Sequence, residues 1–161
     1  VKLHLPAITR SPRQVKYIDL IKRNNGSLVL TKPWIVGLYE AIIAVDEISK
    51  LKLEQNNRIS LLILDSTLEI AFKEFLLNET GNRYSESRIA AFSRVDLETQ
   101  VKSNSRVKST AWSIINYYYL KRCDLVHKRA TTQISDQELN NYRSNVEYTL
   151  NKLFRINFNR N

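Results

Sequence analysis

Cysteine, methionine, glycine, proline and histidine are all scarce in this chain, and each shortage excludes something. The one cysteine, Cys123, has no partner for an intramolecular disulfide and fits a reducing compartment. Three glycines and three prolines in 161 residues disfavour a turn-rich β fold. Glycines scattered over separate segments cannot build a phosphate-cradling loop. Two distant histidines, His4 and His127, make no zinc site with one cysteine. The acidic residues are scattered and do not resemble a two-metal centre, so we expect neither a metal nor a cofactor. No apolar run reaches the roughly 18 residues of a membrane span. The start, Val1-Lys2-Leu3-His4-Leu5-Pro6, lacks a basic stretch followed by an apolar one. We therefore expect no membrane association and a cytoplasmic location. Methionine is missing even at position 1, which points to a piece of a longer protein with an upstream domain.

What the chain does have is apolar residues, at 43%, and positive charge, formally +9. The first is enough for a real core in one domain. The second points to a polyanion partner, against the alternative of a generally basic protein with no dedicated ligand.

The apolar residues recur at helical spacing. Ser11-Pro12 is a helix start, with Val15, Ile18 and Ile21 facing inward and an end predicted near Asn24-Asn25-Gly26. Leu28-Val29-Leu30 reads as a short extended link. Trp34, Leu38, Ile42, Val45 and Ile48 mark a second helix. Leu61, Leu64, Leu68, Ala71 and Phe75 mark a third, widened by Leu62, Ile63 and Ile70, with Asp65, Glu69 and Lys73 on its wet side. Short helices are expected at 87–92 and 96–101, then a loop at 103–105. A long helix from about Lys108 to His127 has the stripe Trp112, Ile115, Tyr119, Cys123 and Val126. Ser135 and Glu138 form a capping box for a last helix with Leu139, Tyr142, Val146, Leu150 and Leu153. The sum is an all-α bundle of five to seven helices. It divides into an N-terminal extension with one short helix (1–32), the bundle proper (33–155) and a frayed basic tail (156–161).

Chemistry concentrates in Lys121-Arg122-Cys123-Asp124-Leu125-Val126-His127. An unperturbed imidazole titrates at about 6.5, so His127 is the natural acid–base group. Arg122 supplies a fixed charge suited to phosphate oxygens. Asp124, three residues before His127, is placed to orient the imidazole. Five residues of ideal helix give about 7.5 Å of rise and about 140° of rotation, so Arg122 and His127 do not share one face. The alternative is a helix C-terminus decorated with cations that the macrodipole favours. Cys123, on the apolar stripe, reads as buried filler rather than a nucleophile.

The segment Arg122-Cys123-Asp124-Leu125-Val126-His127 resembles the signature of the HEPN superfamily: Arg, four to six residues, then His, near the end of a long helix. Many members have the form Arg-Asn-acidic-aliphatic-Val-His, matched here by Asp124, Leu125 and Val126. The aromatic run Tyr117-Tyr118-Tyr119-Leu120, the pair Leu68-Glu69, and the Ser135 start of a closing helix are similar too. The resemblance spans roughly residues 34–155. Cys123 departs from it, standing where a polar Asn, Asp or His is common.

The resemblance implies a HEPN-like bundle and a metal-independent endoribonuclease. The 2′-hydroxyl of single-stranded RNA would attack, with His127 as acid or base and Arg122 on the phosphorane. A homodimer would supply a second motif, with Cys123 and Asp124 in supporting positions. Lys121, Lys128 and Arg129, and more weakly Arg106 and Lys108, are the candidate RNA contacts. Such domains belong to larger defence or toxin–antitoxin proteins, which makes an antitoxin a further partner. The alternatives are a non-catalytic RNA-binding or dimerisation module and a helical protein–protein adaptor.

Overall fold

The structure, a computed structural model, describes residues 12–127 and 133–160. Seven helices and no strand occur among them: α1 (Pro12–Thr31), α2 (Ile35–Ser49), α3 (Asn56–Asn78), α4 (Glu86–Ala90), α5 (Arg94–Asn104), α6 (Ser109–His127) and α7 (Asp136–Phe154). The chain is an all-α bundle. No helix among the described residues is long and apolar enough to cross a membrane.

α3 is the centre, packing against α2, α4, α5, α6 and α7. Its stripe explains why: Leu61, Leu64, Leu68 and Ala71 are fully buried and Phe75 nearly so. Each of the leucines and Phe75 contributes about 1.5–3 kcal/mol on leaving water. Facing residues complete the core, with Leu38 and Ile42 from α2, Leu97 and Val101 from α5, and Tyr142, Val146 and Leu150 from α7. Phe72 meets Trp112 of α6 with ring centroids 5.4 Å apart. The capping box at α7 forms as expected: Ser135 Oγ accepts from the Glu138 N–H and Glu138 returns to the Ser135 N–H. A second box, Ser93 with Asp96, starts α5. α5 therefore begins at Arg94 and runs to Asn104, further than the sequence suggests.

The first and last described segments differ from expectation. α1 runs straight through Asn24-Asn25-Gly26 and includes Leu28-Val29-Leu30, so there is neither a stop nor an extended link. The reason is Asn25, which is 1% exposed. Its amide donates to the Ile21 carbonyl and to the Asn157 carbonyl, both at 2.9 Å, and its side-chain oxygen accepts from the Asn157 N–H at 2.8 Å. These bonds offset the roughly 1 kcal/mol that Gly26 costs a helix interior. The same clamp corrects the frayed tail. Ile156 is fully buried, and Arg160 pairs with Glu147 at 2.8 Å.

Candidate functional site

α6 carries the motif, and its buried face is not the one its apolar spacing suggests. Ala111, Trp112, Ile115, Tyr118 and Leu125 are buried. Tyr119 and Cys123 are only half-buried and Val126 is 52% exposed. The inward face therefore runs Ile115, Tyr118, Arg122, Leu125, and Arg122 holds an inward position. Tyr118 decides the rotation: it stacks on Tyr142 at 4.5 Å and donates to the Glu138 carbonyl at 2.8 Å.

Arg122 is tolerated there because α3 presents a carboxylate. Asp65, expected on the wet side, is fully buried. It lies four residues after Leu61 and three before Leu68, which puts it on the inward face. Its Oδ2 is 3.5 Å from Arg122 Nε. Its Oδ1 accepts from Arg94 Nη2 at 3.1 Å and from the Tyr142 hydroxyl at 3.3 Å. Arg94 also donates to Glu98 at 3.0 Å, lies 3.8 Å from Glu69, and places its guanidinium 4.9 Å from the Tyr119 ring centre. Burial opposes the charge on Arg94, but Asp65 and Glu98 more than offset it and its pKa stands above the ordinary value. Burial, then Asp65, pushes the Tyr142 phenol well up, so it stays a neutral donor. Burial, then a bond to Cys123, raises Tyr119 as well. Asp65 Oδ2 and Arg122 Nε are buried without a hydrogen-bond partner among the described residues. The Arg122 side chain as a whole remains 29% exposed.

His127 is the last residue of α6 and is exposed. α6 stays helical to that point, so the rotation of about 140° between Arg122 and His127 holds. No hydrogen bond or ion pair joins the two among the described residues. Arg58, which sequence reasoning did not single out, donates to the Leu125 carbonyl at 3.2 Å and pins this helix end to α3. Asn57 does the same for the start of α7, donating to the Ile134 carbonyl and to Asp136. Asp124 is half-buried.

Comparison with protein-family models, curated proteins and solved structures finds no match to this chain. Its chemistry rests on the residues themselves.

The other expected contacts fall in different places. The Lys121 ammonium bonds Glu138, and that bond, then Ser135, holds the Glu138 carboxyl at about 2. Lys128 and Arg129 lie outside the described residues, as does His4. Arg106 and Lys108 are exposed, but they precede α6 and so stand at its far end, about 27 Å from His127 by helical rise. No group of three His, Cys, Asp or Glu that could hold a metal occurs among the described residues. The cluster of Asp65, Arg94, Glu98 and Tyr142 is masked in the sequence because a charged residue within an apolar stripe reads as solvent-facing. Its signal was available: Asp65 shares the spacing of Leu61 and Leu68.

Proposed function

We propose that this chain is a metal-independent endoribonuclease of HEPN type, acting on single-stranded RNA as a homodimer and forming part of a larger cytoplasmic defence or toxin-like protein. The observation that carries the reading is the setting of Arg122. A buried carboxylate lies 3.5 Å from the Nε edge of its guanidinium as an ion pair, while part of the side chain stays open at the helix end that displays His127. A guanidinium held on one side is pre-organised for charge that builds on a phosphorane. Asp65 is the positioning residue, and Arg94 shares its charge. Around this cluster Arg94, Arg122, Lys73 and Lys102 face Asp65, Glu69 and Glu98, so positive charge exceeds negative.

RNA supplies the nucleophile. His127 accepts the 2′-hydroxyl proton or protonates the leaving 5′-oxygen. The product is a 2′,3′-cyclic phosphate and a 5′-hydroxyl end. Two chains facing one another would bring the Arg122 of one toward the His127 of the other, which the rotation within one helix denies. Tyr117 and Leu120, 53% and 56% exposed, share the outward face of α6 with His127 and offer apolar area for that contact.

A second reading, a non-catalytic RNA-binding and dimerisation module, is favoured by the divergence of Arg122 and His127 on one helix and by Cys123. Incubation with single-stranded RNA in a metal chelator separates the two. Cleavage leaving cyclic phosphate ends supports the nuclease, whereas tight binding without any cleavage selects the module.

A further inference from the structure

Two open clefts on this molecule differ in charge. One, of about 460 Å³, is lined by Glu54, Asp136, Asn56 and Asn57 and so carries acid. The other, of about 500 Å³, lies between the end of α5, the 105–108 loop and the first two turns of α6. It is lined by Lys102, Val107, Ser109, Trp112, Ser113 and Asn116, none of them acidic. Arg106 and Lys108, both exposed, stand in or beside the loop that forms its edge.

The second cleft is built in layers. Trp112, 6% exposed, packs against Phe72 with ring centroids 5.4 Å apart and forms the inner wall. The Lys102 ammonium sits 5.1 Å from the indole centre, with a side chain 46% exposed. Glu98 lies 3.8 Å from that ammonium, but Arg94 holds the same carboxylate at 3.0 Å, so Lys102 keeps much of its charge for a ligand. Ser109, Ser113 and Asn116 are spaced by four and three on one exposed face of α6. Hydroxyl and amide groups at that spacing suit phosphate oxygens and ribose hydroxyls.

We propose that this cleft binds a phosphodiester segment of single-stranded RNA, at the opposite end of α6 from Arg122 and His127. By helical rise His127 lies about 16 Å beyond Asn116 and about 27 Å beyond Ser109, so a strand of several nucleotides is needed to reach both. Lys102, Arg106 and Lys108 hold the backbone, and Ser109, Ser113 and Asn116 contact phosphate and 2′-hydroxyl groups. The choice of RNA as occupant rests on the nuclease reading of the α6 end; the cleft's preference for a phosphate backbone does not.

The chain has two tryptophans, so Trp34→Phe leaves Trp112 as the only reporter. The test is titration of Trp34→Phe/His127→Ala protein with an oligouridine dodecamer at low salt, following Trp112 emission and RNA anisotropy together. The expected result is a saturable emission change that tracks binding. Ser113→Glu, on an exposed helix face, should abolish the change and weaken binding at least about tenfold through repulsion at phosphate. Arg106→Gln with Lys108→Gln should lower the salt slope by about two. RNA binding without any Trp112 response, or unaffected by Ser113→Glu, would overturn the proposal. So would inorganic phosphate alone giving the same response at the same concentration, which would make this a small-anion site. A persistent Trp112 response in a protein whose wild type never cuts RNA keeps the cleft and removes the nuclease. Cleavage without a Trp112 response does the reverse.

Discussion

Arg122 of α6 and Asp65 of α3 meet as an ion pair, Nε to Oδ2 at 3.5 Å, with Asp65 fully buried and Arg122 partly open to solvent. The pair joins the helix that carries the candidate chemistry to the helix that organises the core. Asp65 also holds Arg94 and Tyr142, so it has more partners to lose than Arg122 has.

Asp65→Asn should therefore destabilise strongly. It leaves Arg94, whose side chain is 6% exposed, without its main counter-charge. Removing one partner of a buried pair costs about 3–5 kcal/mol. Arg122→Ala should cost less, about 1–2 kcal/mol, because solvent already reaches that side chain. Urea unfolding of both variants checks the order. An Asp65→Asn protein as stable as wild type would remove the cluster from the account.

Glu147 should give stability an unusual pH dependence. Burial first, and then Asp46, raise its carboxyl to about 7 against an ordinary 4.5, even with Arg143 lowering it. Between these values the folded state binds a proton that the unfolded state has released. Stability from this group is thus present at low pH and declines as pH rises through about 7. Glu147→Gln should be more stable than wild type at pH 8, by an amount on the order of 1–3 kcal/mol. Thermal unfolding across pH measures it, and a less stable Glu147→Gln at pH 8 would show that the ion pairs with Arg143 and Arg160 dominate.

Asn25 should hold the tail to α1. Asn25→Ala leaves the Asn157 N–H and carbonyl without their partner, at about 1–3 kcal/mol. Hydrogen exchange at the Asn157 amide should accelerate well beyond the change in global stability. Unchanged protection there would mean that Ile156 burial alone retains the tail.

The long regular elements were legible from spacing. The stripes of α3 and α7 and the Ser135–Glu138 box needed only helical periodicity and capping chemistry. What escaped was polar and long-range. Asn25 looks like a stop signal until its partner Asn157, distant in the chain, is known. Asp65 looks solvated until Arg94, Arg122 and Tyr142 surround it. The rotation of α6 differs from its apolar spacing for the same cause: an inward arginine interrupts the stripe, and Tyr118 and Leu125 fill the place that the spacing gives to Tyr119 and Val126. That Arg122 and His127 diverge followed from counting residues, whereas the anchoring of Arg122 required the fold.

Assembly and Cys123 offer two further checks on the same reading. Light scattering at micromolar concentration should show a two-fold dimer, and Leu120→Glu on the exposed face of α6 should dissociate it. On the nuclease proposal, Cys123→Asn, which places a polar amide beside Arg122, should increase RNA cleavage without lowering stability by more than about 1 kcal/mol. A monomer at every concentration would leave each Arg122 without an opposing His127.

The most direct measurement is single-turnover cleavage of single-stranded RNA, in a metal chelator, by wild-type protein and by His127→Ala. His127 is exposed and ends its helix, so its removal should leave the unfolding transition in place. The expected result is a fall in rate of about 10²–10⁴-fold for His127→Ala, with cyclic phosphate ends in the residual product. Equal rates for the two proteins would contradict it.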